Sequence, residues 1–246
     1  MICQLTARNY PQFLQFTLNV PALGVLMQVN SELYLEKPAL MQFFLCEEGA
    51  LMIKGSNATL AGRADQEELA SMLEFLGICS LTSQETVPQG WGVESTTSVM
   101  EFLPQSPAPQ LPKIEICREP SAADILQLVA FQGIIGDAAD NFYSELCTKR
   151  NHQKAVIWTA QIQGKPVCTA GAYALTDTEA YLAGVVTHPD FRRQKLASAL
   201  CFALASHLYE SGRRVFLRCD PALQPFYQSV GFSTIQTLLN TKKEQP

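Results

Sequence analysis

Arg192-Arg193-Gln194-Lys195 puts three cationic side chains directly before Leu196-Ala197-Ser198-Ala199-Leu200, a run with the composition of a helix. Upstream, Val185-Val186-Thr187 is an apolar strand that turns at Pro189. A strand–loop–helix of this kind leaves the first helical N–H groups unpaired, and the positive end of the helix dipole strengthens them. Such a helix start binds anions, and Arg192 and Arg193 add charge-assisted donors. Small Ala197 and Ser198 in the first turn let a bulky phosphate approach. The chemistry this stretch predicts is the cradling of a pyrophosphate.

Elements that position such a loop must come from the rest of the chain. The sequence has 246 residues, 47% of them apolar and 17% charged, which supports a substantial core in one or two domains. A net charge of −5 gives no global attraction to nucleic acid or to anionic lipid. Cys3, Cys46, Cys79, Cys117, Cys147, Cys168, Cys201 and Cys219 are scattered, with no Cys-x-x-Cys pair. The first residues lack a basic segment followed by an apolar run, and no run reaches membrane-spanning length. These features predict reduced thiols and a cytoplasmic location. His152, His188 and His207 show no ligand spacing, so no metal is expected.

Four prolines between Pro104 and Pro112 read as a semi-rigid linker. The expected domains are therefore 1–103 and 113–246, joined by 104–112. In the first, a hairpin is expected around Glu47-Glu48-Gly49, then a strand over 57–62. A helix capped by Asp65 follows, with Leu69, Met72, Leu73 and Leu76 at helical spacing, then a strand over 78–82. Residues 10–26 are partly helical, with limits blurred by Pro11 and Pro21. In the second domain, a strand at 113–117 precedes a helix capped by Ser121 and another over 141–149. Strands follow at 155–162, 167–174 and 179–186, the first pair joined by Gln163-Gly164. A long helix stopped by Gly212, a strand at 214–219, a short helix at 221–230 and a strand at 232–239 complete the order.

Arg192-Arg193-Gln194-Lys195-Leu196-Ala197 resembles motif A of the GNAT acyltransferases, Gln/Arg-x-x-Gly-x-Gly/Ala, with Lys195 standing at the first glycine. Phe226-Tyr227-Gln228-Ser229-Val230-Gly231-Phe232 resembles the family's Phe-Tyr-x-x-x-Gly-Phe, and the strand and helix order from 113 to 240 is similar to theirs. The resemblance implies an α+β fold of the GNAT type, a mixed, mostly antiparallel sheet flanked by helices, with an additional N-terminal α+β domain. That first domain is either a degenerate copy of the same fold or an unrelated cap.

The resemblance also implies acetyl-CoA as co-substrate. The backbone of Val185, Val186 and Thr187 would pair with the pantetheine amides in a wedge between splayed strands. The N–H groups of Arg193, Gln194, Lys195, Leu196, Ala197 and Ser198 would hold the pyrophosphate, with Arg192 beside them. Tyr227 would protonate the departing thiolate, or else pack beside Phe226 and Phe232. Glu179 would act as general base through a water, or be a solvated strand-end charge; histone-type members carry their base where this chain has Tyr181. Asp220 would orient the cofactor or cap the helix at Pro221.

The activity so implied is direct transfer of an acetyl group to a primary amine, of a small molecule or peptide, in a ternary complex. Asp137, Asp140 and Glu145 are candidates to face a cationic acceptor. No nucleic-acid or membrane partner is expected, and a homodimer is left open. The rival reading is a catalytically silent CoA-binding sensor or scaffold, which Lys195 and the missing base both favour. A phosphate-binding module for nucleotides is disfavoured by the absence of Gly-x-x-x-x-Gly-Lys-Ser/Thr and of a parallel βαβ plan.

Overall fold

The computed structural model of the chain describes residues 1–18, 20–104 and 109–243. Residues 105–108 of the expected linker lie outside the described residues. The chain divides into two compact units. The first comprises Met1–Val99, Cys219–Pro221 and the stretch from Thr234, and the second Met100–Arg218 with Ala222–Ser233.

In chain order the first part forms β1 (Cys3–Gln4), α1 (Tyr10–Leu18), α2 (Leu23–Tyr34), β2 (Gln42–Cys46), β3 (Glu48–Lys54), β4 (Asn57–Arg63), α3 (Gln66–Phe75), β5 (Ser80–Ser83) and β6 (Trp91–Phe102). It continues through β7 (Glu115–Cys117), α4 (Ala122–Val129), α5 (Asp137–Asn151), β8 (Val156–Ile162), β9 (Lys165–Leu175) and β10 (Glu179–Thr187). Then come α6 (Leu196–Glu210), β11 (Arg214–Cys219), α7 (Gln224–Gln228) and β12 (Phe232–Lys243).

Strands of the first unit lie in the order β1-β2-β3-β4-β5-β12-β6. β2, β3 and β4 form an antiparallel meander, and β5 returns parallel to β4 after α3. Side chains alternate across the sheet. Leu51 and Ile53 pack with Leu69 and Leu73 of α3, whereas Phe43 meets Phe13 of α1 edge-on at 6.0 Å. Both faces are covered, which is why β3 reads as a continuous apolar run. Asp65 caps α3 as expected, its carboxylate accepting from the Glu68 N–H at 2.8 Å. From Thr234 onward β12 belongs to this unit and pairs antiparallel with β5, Leu239 opposite Ser83.

The second unit repeats that plan. β8, β9 and β10 form an antiparallel meander, and β11 returns parallel to β10 after α6. α4 begins with a full capping box between Ser121 and Asp124. Ile125 and Val129 of α4 and Leu146 of α5 pack on Ile157 and Val186. α6 takes the opposite face, where its His207 ring lies 5.2 Å from that of Trp158 on β8. Leu196, Leu200, Leu204 and Leu208, four residues apart, bury one stripe of α6.

Candidate functional site

β10 and β11 pair only from Glu179↔Arg214 to Leu182↔Leu217. Beyond Leu182 the β10 edge has no β11 partner among the described residues. On the other side β10 stays bonded to β9, but the register slips between Ala183 and Val186, a bulge spanning Gly184 and Val185. Gly184 has φ +61°, and a Cβ there would lie 2.7 Å from the Tyr173 ring and hydroxyl. Only glycine lets β10 turn this corner against Tyr173.

The bulge resets which groups face outward. The His188 N–H donates to the Val167 carbonyl at 2.8 Å, and Val186 sits opposite Thr169 two residues earlier. Backbone groups of Val186 and His188 therefore point to β9, and those of Val185 and Thr187 point to the opened edge. Two side chains cap that edge. Gln132 Nε2 donates to the Val185 carbonyl at 3.3 Å, and Arg192 Nε donates to the Thr187 carbonyl at 3.2 Å.

His188 begins the turn that follows, its Nδ1 accepting from the Asp190 N–H at 3.3 Å. Arg193 and Lys195 then adopt left-handed backbone, with φ 66° and 57°. Lys195, which stands at the motif's first glycine, is therefore strained. Lys195 makes no side-chain cap to α6. The first backbone bond of the helix runs from the Ala199 N–H to the Lys195 carbonyl at 3.0 Å. That leaves the N–H groups of Leu196, Ala197 and Ser198 without intrahelical acceptors. Arg192, Arg193, Gln194 and Lys195 are exposed, whereas Leu196 and Ser198 are buried. The structure thus brings Val185, Val186, Thr187 and residues 192–198 together as one continuous strand edge, turn and helix start.

Tyr227 lies on α7 and is 9% exposed, packed edge-on against Phe226 at 4.8 Å and Phe232 at 5.9 Å. Asp220 is exposed and follows β11 directly. Glu179 sits at the end of β10 remote from the bulge. Its carboxylate is 3.9 Å from Arg214, whose main partner is Glu101 at 2.8 Å. Burial raises the Glu179 pKa, Arg214 opposes the rise and Glu101 adds to it. Of the acidic candidates for an acceptor, Glu145 pairs with the buried Lys149 at 2.7 Å, and Asp137 and Asp140 are exposed in the first turn of α5.

Three residues of this region were not singled out from the sequence: Gln132, Tyr173 and Gly184. Only Gly184 carried a signal, as a glycine inside a strand pattern. Burial holds the Tyr173 phenol well above its ordinary pKa, and its hydroxyl has no hydrogen-bond partner among the described residues. Among the described residues no cluster of three His, Cys, Asp or Glu side chains can hold a metal ion, and no helix is long and apolar enough to cross a membrane. A shallow groove of about 370 Å³ in the first unit, lined by Ile2, Phe44, Met72, Phe75 and Leu76, offers no titratable group.

Residues 130–242 match the family model described as an acetyltransferase (GNAT) domain. No curated protein matches the chain. Several solved structures share the fold at low identity. A GCN5-related N-acetyltransferase from Kribbella flavida is 17% identical with a TM-score of 0.61, covering 88% of this chain and 95% of its own. A GNAT-family acetyltransferase from Colwellia psychrerythraea is 11% identical with a TM-score of 0.64, covering 99% of this chain and 100% of its own. A tandem GNAT protein from the clavulanic acid biosynthesis pathway is 15% identical with a TM-score of 0.64, covering 100% of this chain and 99% of its own. The fold is the α+β GNAT fold, and residues 130–242 are the part that matches the GNAT acetyltransferase domain model.

Proposed function

We propose that this protein is an acetyl-CoA-dependent N-acyltransferase that moves an acetyl group to a primary amine by direct transfer. The observation that carries the reading is the uncapped start of α6 continuous with an opened β10 edge. Anion donors and an amide-pairing edge lie in one line, matching a ligand that joins a diphosphate to an amide-containing arm. Leu196, Ala197 and Ser198 N–H groups hold the diphosphate, with Arg192 and Arg193 supplying charge. Val185 and Thr187 present backbone donors and acceptors to the arm. The bound coenzyme supplies an activated thioester. Tyr227 donates a proton to the sulfur as it leaves, and the proton that the attacking nitrogen sheds passes to water and restores the phenol.

Glu179 is assigned to the strand-end ion pair rather than to the amine. Four residues of extended chain, ~13 Å, separate it from Ala183 where the bulge begins. In the first unit the helix that corresponds to α6 is closed to anions, because Asp65 occupies its N-terminus and Glu67 and Glu68 fill its first turn. We assign that unit to a copy of the fold without a donor site. Eight cysteines, none of them in a disulfide among the described residues, support a reducing compartment such as the cytoplasm.

Calorimetry of the full chain with acetyl-CoA, followed by CoA release over an amine panel, tests the reading. Binding and turnover on at least one amine are expected. Binding with no turnover would leave a silent CoA-binding module in its place, and no binding would end the donor-site assignment.

A further inference from the structure

We infer that Gln132 is a built-in competitor for the donor site, a side-chain amide that occupies the β10 edge until the coenzyme's own amide replaces it. This rests on the donor site proposed above and adds a partner for it from the connection between α4 and α5. The Gln132 carboxamide donates to the Val185 carbonyl at 3.3 Å, on the edge that β11 leaves open after Leu182. An N–H from an extended amide arm needs that same carbonyl lone pair and the same approach. The two donors cannot both lie in line with the edge.

The connection is held down at two further points, one of them Ile134, which packs partly buried against the Ile125 and Val129 core. Phe131, next to Gln132, sets its ring 4.8 Å from His188, the residue after Thr187. Ile135, three residues on, is 65% exposed. The segment 130–136 therefore touches the donor edge through one amide and one ring contact, and Ile134 is its hold on the core while Phe131, Gln132, Gly133, Ile135 and Gly136 are exposed. Weak anchoring of this kind belongs to the low-stability end of a fold, where local opening costs least. Arrival of the coenzyme removes the Gln132 bond and loosens the segment about Ile134, so donor binding reshapes the wall beside the bulge before the amine arrives. Edge protection is the complementary benefit, since an open strand edge invites pairing with other chains.

The test is calorimetry of CoA on the full-length wild type and Gln132→Ala, with adenosine 3′,5′-bisphosphate, which has no amide arm, as the reference ligand. Removing a competing hydrogen bond should make Gln132→Ala bind CoA about 2- to 12-fold more tightly. Affinity for the bisphosphate should not change. Equal or weaker CoA binding by the variant overturns the inference while leaving the donor site intact. Failure of CoA to bind the wild type overturns the donor site itself. Hydrogen exchange provides a second reading: CoA should speed exchange over 130–136 in the wild type, and unchanged exchange there overturns the displacement.

Discussion

Arg193 and Lys195 hold left-handed backbone on either side of Gln194, immediately before α6. That conformation costs an ordinary L-residue about 1–2 kcal/mol. It lets the chain reverse tightly enough to leave the first N–H groups of α6 facing the turn. At Lys195 the family motif has glycine, which removes the strain.

Lys195→Gly should therefore stabilise the fold. Relief of strain is offset by about 0.4–1 kcal/mol of extra disorder in the unfolded chain, so a net gain of about 0.5–1 kcal/mol is expected. Urea denaturation measures it. A loss of stability would show that the lysine side chain makes a contact stronger than the backbone strain it imposes.

Tyr227→Phe separates binding from chemistry. The ring keeps its packing on Phe226 and Phe232, so CoA affinity should hold. Loss of the proton donor should lower kcat by about 100- to 10,000-fold with little change in KM. An unchanged kcat would reduce Tyr227 to a packing aromatic.

Glu179 sets a pH dependence whose sign follows from its raised pKa. Burial favours the protonated carboxyl in the fold, against the pull of Arg214. Its contribution to stability is fully present below the unfolded value, near 4.5, and is lost as pH rises through the higher folded value. Relative to Glu179→Gln, the wild type should lose stability as pH rises upward from 4.5. Paired urea titrations from mildly acidic to neutral pH check this, and a constant difference between the proteins would contradict it.

The parts legible in the sequence were those fixed by local chemistry. Asp65 and Ser121 announced their helices because capping is a short-range hydrogen bond. Gln163-Gly164 marked its hairpin because both positions need positive φ. The uncapped start of α6 was readable because Arg192-to-Ser198 is contiguous. β6 was missed: Glu94-Ser95-Thr96-Thr97 is too polar to read as strand, and its place in the sheet comes from neighbours such as β12, which is distant in sequence. The ends of strands blurred for the same reason, β12 running on to Lys243 because pairing with β5 continues past Leu239. Gln132 and Tyr173 acquire meaning only when the bulge at Gly184 brings β10 against them, and no spacing rule encodes that.

The bulge itself makes the last prediction. Gly184 is held at φ +61° with the Tyr173 hydroxyl and ring 2.7 Å from where a Cβ would sit. Gly184→Ala adds left-handed strain of about 1–2 kcal/mol and overpacking of about 1–3 kcal/mol, so stability should fall by about 2–5 kcal/mol. Tyr173→Phe does the reverse. It deletes a buried hydroxyl that none of the described residues satisfies, and stability should rise by about 1 kcal/mol. Because the two residues touch, their effects should not add: in the double variant the loss caused by Gly184→Ala should shrink, since part of the clash was with the deleted oxygen. A double-mutant cycle in urea measures that coupling. Strict additivity would mean the bulge is set by the pairing with β9 alone, and that Tyr173 merely fills the space the bulge leaves.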